Sequence, residues 1–258
     1  MATDPKPARK RKPASKKAKK PVPKPVWYRR IDWRGQVLPW AKRGALGILG
    51  FVAFMVVVFA ILNPVRTPYM LAERIRLGAI EHDWMAIENI APAAARSVVA
   101  AEDANFCLHW GLDVAEIRKA LDQGKRRGAS TISQQTVKNV YLWQGRSWTR
   151  KAAEALLTPL VEAVWTKRRI LEVYLNVVEF GEGVFGIEAA ARHYFGVSSA
   201  DLSPTQAARL AAILPDPKNR SASNPSSFVR SQASKILDGA ATIEADGRAA
   251  CFEIAAED

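Results

Sequence analysis

Three polar clusters in this sequence have residue types and spacing that could carry chemistry. The first runs from Ala101 to Asp113, AEDANFCLHWGLD. Glu102 ends the apolar run Ser97-Val98-Val99-Ala100-Ala101, so its carboxylate is expected to be partly desolvated, which raises its pKa and suits it to act as a base. The second runs from Gly128 to Asn139, GASTISQQTVKN. There Thr131, Gln135 and Lys138 recur at i, i+4 and i+7, so one helix face would carry a hydroxyl, an amide and an ammonium. The third is Arg150-Lys151-Ala152-Ala153-Glu154, which sets two cations within one helical turn of a carboxylate. Taken singly, each also has a structural reading. An acidic pair can end a helix in solvent, a polar face can be merely solvated, and an i,i+4 ion pair is worth about 0.2–0.5 kcal/mol on a helix surface.

The elements that must position these residues read as helices. Pro92 opens an Ala/Val-rich run that reaches Glu102. Asp113 with Glu116, Thr131 with Gln134, and Ser203 with Gln206 fit capping boxes. Ser147 can cap a run from Trp148 to about Trp165, and ILEVYLNVV continues helically to the breaks at Gly181, Gly183 and Gly186. Few segments alternate with period two, which argues against a large sheet, and there is no internal repeat. The class is mainly α.

The 258 residues allow one sizeable domain plus flanking segments. The formal charge of +13 is concentrated at the N-terminus. Residues 1–43 hold fifteen basic and two acidic side chains, and the remainder is balanced. A neutral body argues against a nucleic-acid-binding domain despite the high pI. Residues 1–43 read as a basic cytoplasmic tail, disordered over its Lys/Pro/Ala-rich first 25 residues. Residues 44–62 are uncharged and mostly apolar, about 28 Å as a helix, and read as a single transmembrane span. The basic excess ahead of it places the N-terminus in the cytoplasm and the domain in a periplasm. Residues 63–84 then serve as a connector, 85–240 as the domain and 241–258 as a C-terminal tail. Cys107 and Cys251 lie 144 positions apart in that oxidising compartment. Their separation suggests neither a bridge nor a metal site, and cysteine usage favours leaving them unpaired.

Taken together, the segments EDANFCLHWGLD, GASTISQQTVKN, RKAAE, KRRILEVYLNVVEFGEGVFGIEAAARHYFG and LAAILPDP resemble, in order and spacing, the peptidoglycan glycosyltransferases of family 51 over about residues 85–230. One tail, one span and one domain match the monofunctional form, without a penicillin-binding transpeptidase domain. The resemblance implies a lysozyme-like helical domain at the inner membrane that elongates glycan strands from lipid II and interacts with the nascent strand and the membrane. Other cell-wall synthesis or division proteins are further candidate partners. It also implies roles. Glu102 is the catalytic base and Glu154 the second essential carboxylate. Ser130, Thr131, Gln135, Lys138, Asn139, Arg150 and Lys151 hold sugar and pyrophosphate, while Asp103, Phe106, His109 and Gly111 shape the loop beside Glu102. The chain departs from the family pattern at Val197, where many relatives carry Lys, and at Ser231-Gln232, where a more basic pair is common.

The implied reaction explains the residue types. A sugar hydroxyl needs a base, whereas pyrophosphate leaves unprotonated and needs fixed cations. Glu154, flanked by Arg150 and Lys151, is expected to stay charged and orient them. No cofactor is required, although some relatives pair a divalent cation (Mg or Mn) with the pyrophosphate, and no spacing here predicts a metal site. Two other readings remain open at this point. A membrane-anchored lytic enzyme would use Glu102 but not the cations, and a non-catalytic scaffold would use neither.

Overall fold

A computed structural model describes residues 35, 37–122, 130–145 and 147–253. The basic tail up to residue 34, Gly128 and Ala129 of the second cluster, and the last five residues lie outside the described residues. The chain divides into two units at Leu49/Gly50. Helix α1 (Leu38–Ile61) crosses that boundary. It begins ahead of the uncharged stretch, takes in Lys42 and Arg43, and is long and apolar enough to cross a membrane, with a mean hydropathy of 2.7 over its best window.

Arg169 terminates α1. Its guanidinium donates to the carbonyls of Phe59 and Leu62 and to Asn63 Oδ1, satisfying acceptors that a helix end leaves unpaired. Trp165 Nε1 also donates to the Val56 carbonyl at 2.7 Å, and Val56 is fully buried. The domain therefore grips the last turns of the apolar helix by polar as well as apolar contacts. After it comes α2 (Pro68–Leu77), whose N-terminus is capped by Thr67.

Helices carry the rest of the domain: α3 (Pro92–Glu102), α4 (Val114–Asp122), α5 (Ile132–Tyr141), α6 (Trp148–Val164), α7 (Lys167–Val177), α8 (Ile187–Phe195), α9 (Pro204–Ile213) and α10 (Ser227–Ala245). The capping boxes at Thr131/Gln134 and Ser203/Gln206 form in full, and Ser147 caps α6 through the Arg150 amide. The Trp148-to-Val177 region is two helices rather than one. Trp165 leaves the helical conformation, and Thr166 caps α7 by accepting from the Arg169 amide. A small sheet has the order β1 (Glu81–His82), β3 (Val184–Phe185), β2 (Glu179–Gly181), with β1 coming from the segment between α2 and α3 and the other two strands following α7. β1 and β3 are parallel, whereas β2 and β3 are antiparallel.

Two packing groups carry the helices of the site. One is α3 with α9 and α10, and the other is α5 with α6 and α7. Small buried residues, Ala94, Ala95, Ala207, Ala208 and Ala211, allow α3 and α9 close approach, while Tyr174, Leu171, Ile170 and Ile132 fill the second group.

Cys107 and Cys251 form a disulfide with Cα atoms 5.7 Å apart, which corrects the expectation of free thiols. The cause is tertiary. The boundary drawn at residue 240 falls inside α10, and residues 246–253 turn back against the loop after α3. There Phe252 is buried beside Phe106, Arg248 donates to the Ala104 carbonyl, and Arg96 pairs with Glu253.

Candidate active site

Glu102 is the last residue of α3 and opens onto two recesses, so it sits on the floor of a groove rather than in a closed cavity. One recess continues past Asp103, Asn105 and Asp113 to Ser130 and Thr131. The other, about 800 Å³, is lined by Arg220, Phe228, Gln232 and Lys235 and meets at Pro215 a third recess containing Lys138, Asn139 and Lys218. Burial raises the Glu102 pKa, against the opposing pull of the Gln135 hydrogen bond and of Lys138, while Asp103 adds to the rise. Gln135 Nε2 donates to Glu102 Oε2 at 2.7 Å. Among the described residues, Oε1 accepts no hydrogen bond.

The residues following Glu102 are fixed with unusual redundancy. Asp103 accepts from the Ile132 amide at 2.9 Å, caps the start of α5, and also accepts from His109 Nε2 at 2.9 Å. Asp113 accepts from the Glu116 amide and from Asn105 Nδ2, and Thr131 Oγ1 donates to the Gly111 carbonyl at 2.6 Å. Gly111 has φ +81°, and a Cβ there would lie 2.8 Å from Thr158 Cγ2 and 2.9 Å from Glu162 Cγ, so only glycine fits. Phe106 is buried, with Lys167 Nζ 4.5 Å above its ring. These contacts place the loop-shaping residues as a scaffold that locks the end of α3 to the start of α5.

On α6, Glu154 is buried and holds both neighbouring cations, Arg150 Nη1 on Oε2 at 2.9 Å and Lys151 Nζ on Oε1. Lys151 also donates to Ser130 Oγ at 3.2 Å, which links this cluster to the groove. Lys138, one turn beyond Gln135 on α5, makes no hydrogen bond or ion pair among the described residues. Burial lowers its pKa, and Glu154 and Glu102 act in the opposite direction. An ammonium that feels two carboxylates but is hydrogen-bonded to neither is available to a ligand anion.

The three clusters are thus brought together, and three members have partners within the protein. The Thr131 hydroxyl is engaged by Gly111 and by the helix cap, and Gln135 is turned onto Glu102. Asn139 accepts from Gln144 at the wall of the third recess. Sequence reasoning passed over Glu162, which binds Ser133 and Lys167, and over Lys218, which bridges Glu73 and Glu179. It also passed over Tyr174, Arg220 and Lys235. None stands in a local pattern that singles it out.

Ligand atoms of Asp103, His109 and Asp113 lie within 4.8 Å of one another, a grouping their sequence spacing does not suggest. Their fit to a cation is poor. Both Asp103 oxygens and both Asp113 oxygens already accept hydrogen bonds that hold the loop, and Arg150 and Lys151 occupy both oxygens of Glu154.

The profile of the Transglycosylase family matches residues 70–241. The chain belongs to this family. It is similar to the biosynthetic peptidoglycan transglycosylase of Jannaschia sp. (strain CCS1), with 58% identity over 213 residues, 83% of this chain and 89% of the relative. Proteins of that name from Yersinia pestis (strain Pestoides F) and Yersinia pseudotuberculosis serotype IB are 47% identical over 216 residues, 78% of this chain and 89% of each relative. The span matched to the transglycosylase family contains all three clusters, from Glu102 on α3 to Glu154 on α6.

Proposed function

We propose that this transglycosylase polymerises peptidoglycan glycan strands from lipid II by inverting transfer. The observation that carries the reading is the pairing of two environments in one groove: a desolvated carboxylate with one free oxygen, and a set of cations partly free of their own counter-charge. Glu102 Oε1 takes the proton from the acceptor's GlcNAc 4-hydroxyl as that oxygen attacks C1 of the donor's MurNAc. The bond from C1 to the lipid pyrophosphate breaks, and Lys138, Arg150 and Lys151 stabilise the charge that grows on the leaving group. A β-1,4 bond forms and undecaprenyl pyrophosphate departs. Glu154 holds Arg150 and Lys151 in place. No step is routed through a divalent cation.

Location follows the same reading. The substrate's lipid stays in the bilayer, so the groove must sit at the membrane face. Arg169 and Trp165, which grip α1 near its C-terminal end, would keep it there. The basic residues ahead of α1 favour a cytoplasmic N-terminus and a periplasmic domain at the inner membrane.

The test is incubation of the detergent-solubilised protein with lipid II. Polymer together with released undecaprenyl pyrophosphate is expected. Fragments from finished glycan, without polymer from lipid II, would instead establish a lytic enzyme.

A further inference from the structure

Tyr174 lies on the buried face of α7, fully enclosed, and its hydroxyl donates to Gln135 Oε1 at 3.1 Å. Gln135 in turn donates from Nε2 to Glu102 Oε2 at 2.7 Å. We propose that Tyr174 is a positioning residue for the base, acting through Gln135 to hold Glu102 Oε2 and leave Oε1 for the acceptor hydroxyl.

The symmetry of the amide makes its orientation a matter of its surroundings. A glutamine side chain can present either its oxygen or its NH2 group in the same place, and the choice is made by its neighbours. The flipped orientation would turn Gln135 Oε1 toward a carboxylate, which repels it. A buried hydroxyl on the far side of the amide selects the other orientation, because its proton needs an acceptor and Oε1 provides one. Burial also pushes the Tyr174 pKa far up, with Glu102 and Asp103 adding to the rise, so the phenol remains a donor at every working pH. The chain therefore runs with one polarity, Tyr174 to Gln135 to Glu102. It spans α7, α5 and the end of α3 and fixes the carboxylate from the core through Oε2. A tyrosine serving only to fill the core would need no partner on the base's own ligand.

The charged and titratable groups facing Glu102 are Asp103 beside it, Asp113 and Glu116 along one recess, Lys138 from α5, Tyr174 from α7, and Arg220 and Lys235 across the other recess. Of these, only Tyr174 reaches the base through a neutral relay.

This inference rests on Glu102 being the base, and the experiment separates the two ideas. Tyr174→Phe removes one oxygen and keeps the ring. It should lower kcat for lipid II polymerisation about tenfold, leave KM within about twofold, and move the acidic midpoint of the kcat profile up by about one pH unit. The midpoint rises because Gln135, no longer held by the phenol, donates less well to the ionised base. In a Gln135→Ala background, Tyr174→Phe should have no further effect on kcat, since the relay is already cut. Independently of activity, an infrared titration of 13C-glutamate-labelled protein, differenced against Glu102→Gln, should show the Glu102 carboxyl titrating at higher pH in Tyr174→Phe than in wild type. An unchanged Glu102 titration, or a full Tyr174→Phe effect persisting in Gln135→Ala, would overturn the relay. A Glu102→Gln variant that polymerises normally would instead overturn the base.

Discussion

Arg150 and Glu154, one turn apart on α6, form a buried pair with 2.9 Å between Nη1 and Oε2, and Lys151 occupies the other oxygen. On a helix surface such a pair does little. Here the carboxylate is 3% exposed, and it fixes two cations at the edge of the groove. Glu154→Gln should therefore release both cations, lowering kcat/KM on the order of tenfold or more, with a larger share of the loss in KM than Glu102→Gln shows. Steady-state kinetics on lipid II for the two variants check this. An unchanged kcat/KM would contradict the assignment, and a loss confined to kcat would show that the cations act on the leaving-group charge and not on binding.

The raised pKa of Glu102 also makes a stability prediction. With the folded value above the unfolded one, folding favours the protonated form. The group is therefore without penalty below the unfolded pKa and opposes folding once pH rises through the folded value. Glu102→Gln should raise Tm at pH 8, and the gain should fade as pH drops toward 4. Thermal melts across that range would show it, and a variant less stable than wild type at pH 8 would refute the desolvation argument.

Gly111 tests the scaffold beside the base. Gly111→Ala puts a side chain at φ +81° and against Thr158 and Glu162, so destabilisation of about 2 kcal/mol or more is expected in denaturant unfolding. A neutral effect would mean that the loop relaxes freely and does not hold Glu102.

Removing the disulfide by Cys107→Ser with Cys251→Ser should cost about 2–5 kcal/mol of stability. The bridge lies within the loop that follows Glu102, so amide exchange over residues 103–110 should accelerate more than exchange in α7. Uniform exchange behaviour in the variant would separate the bridge from the site.

How far the site could be read from sequence depended on range. Glu102 at the end of an apolar run, the capping boxes at Thr131 and Ser203, and the Arg150–Glu154 pair are relations within a few residues. Local periodicity and caps report them directly. The Transglycosylase match extends over residues 70–241, and the motif spacing carried that resemblance. What escaped is long-range. Cys251 reaches Cys107 only because α10 sends the chain back. Tyr174 meets Gln135 across 39 positions, and Asp103 binds the Ile132 amide across 29. Thr131 shows a different limit. A helix face assigns direction to a side chain but not its partner, and the Gly111 carbonyl claims that hydroxyl.

The central claim, that Glu102 is the base, is tested most directly by the initial rate of lipid II polymerisation in Glu102→Gln with lipid II binding measured in parallel. The variant keeps the side chain's shape and its contact to Gln135. A rate loss of about 10²–10⁴-fold or more with binding retained is the predicted result. Polymerisation at near wild-type rate would contradict it.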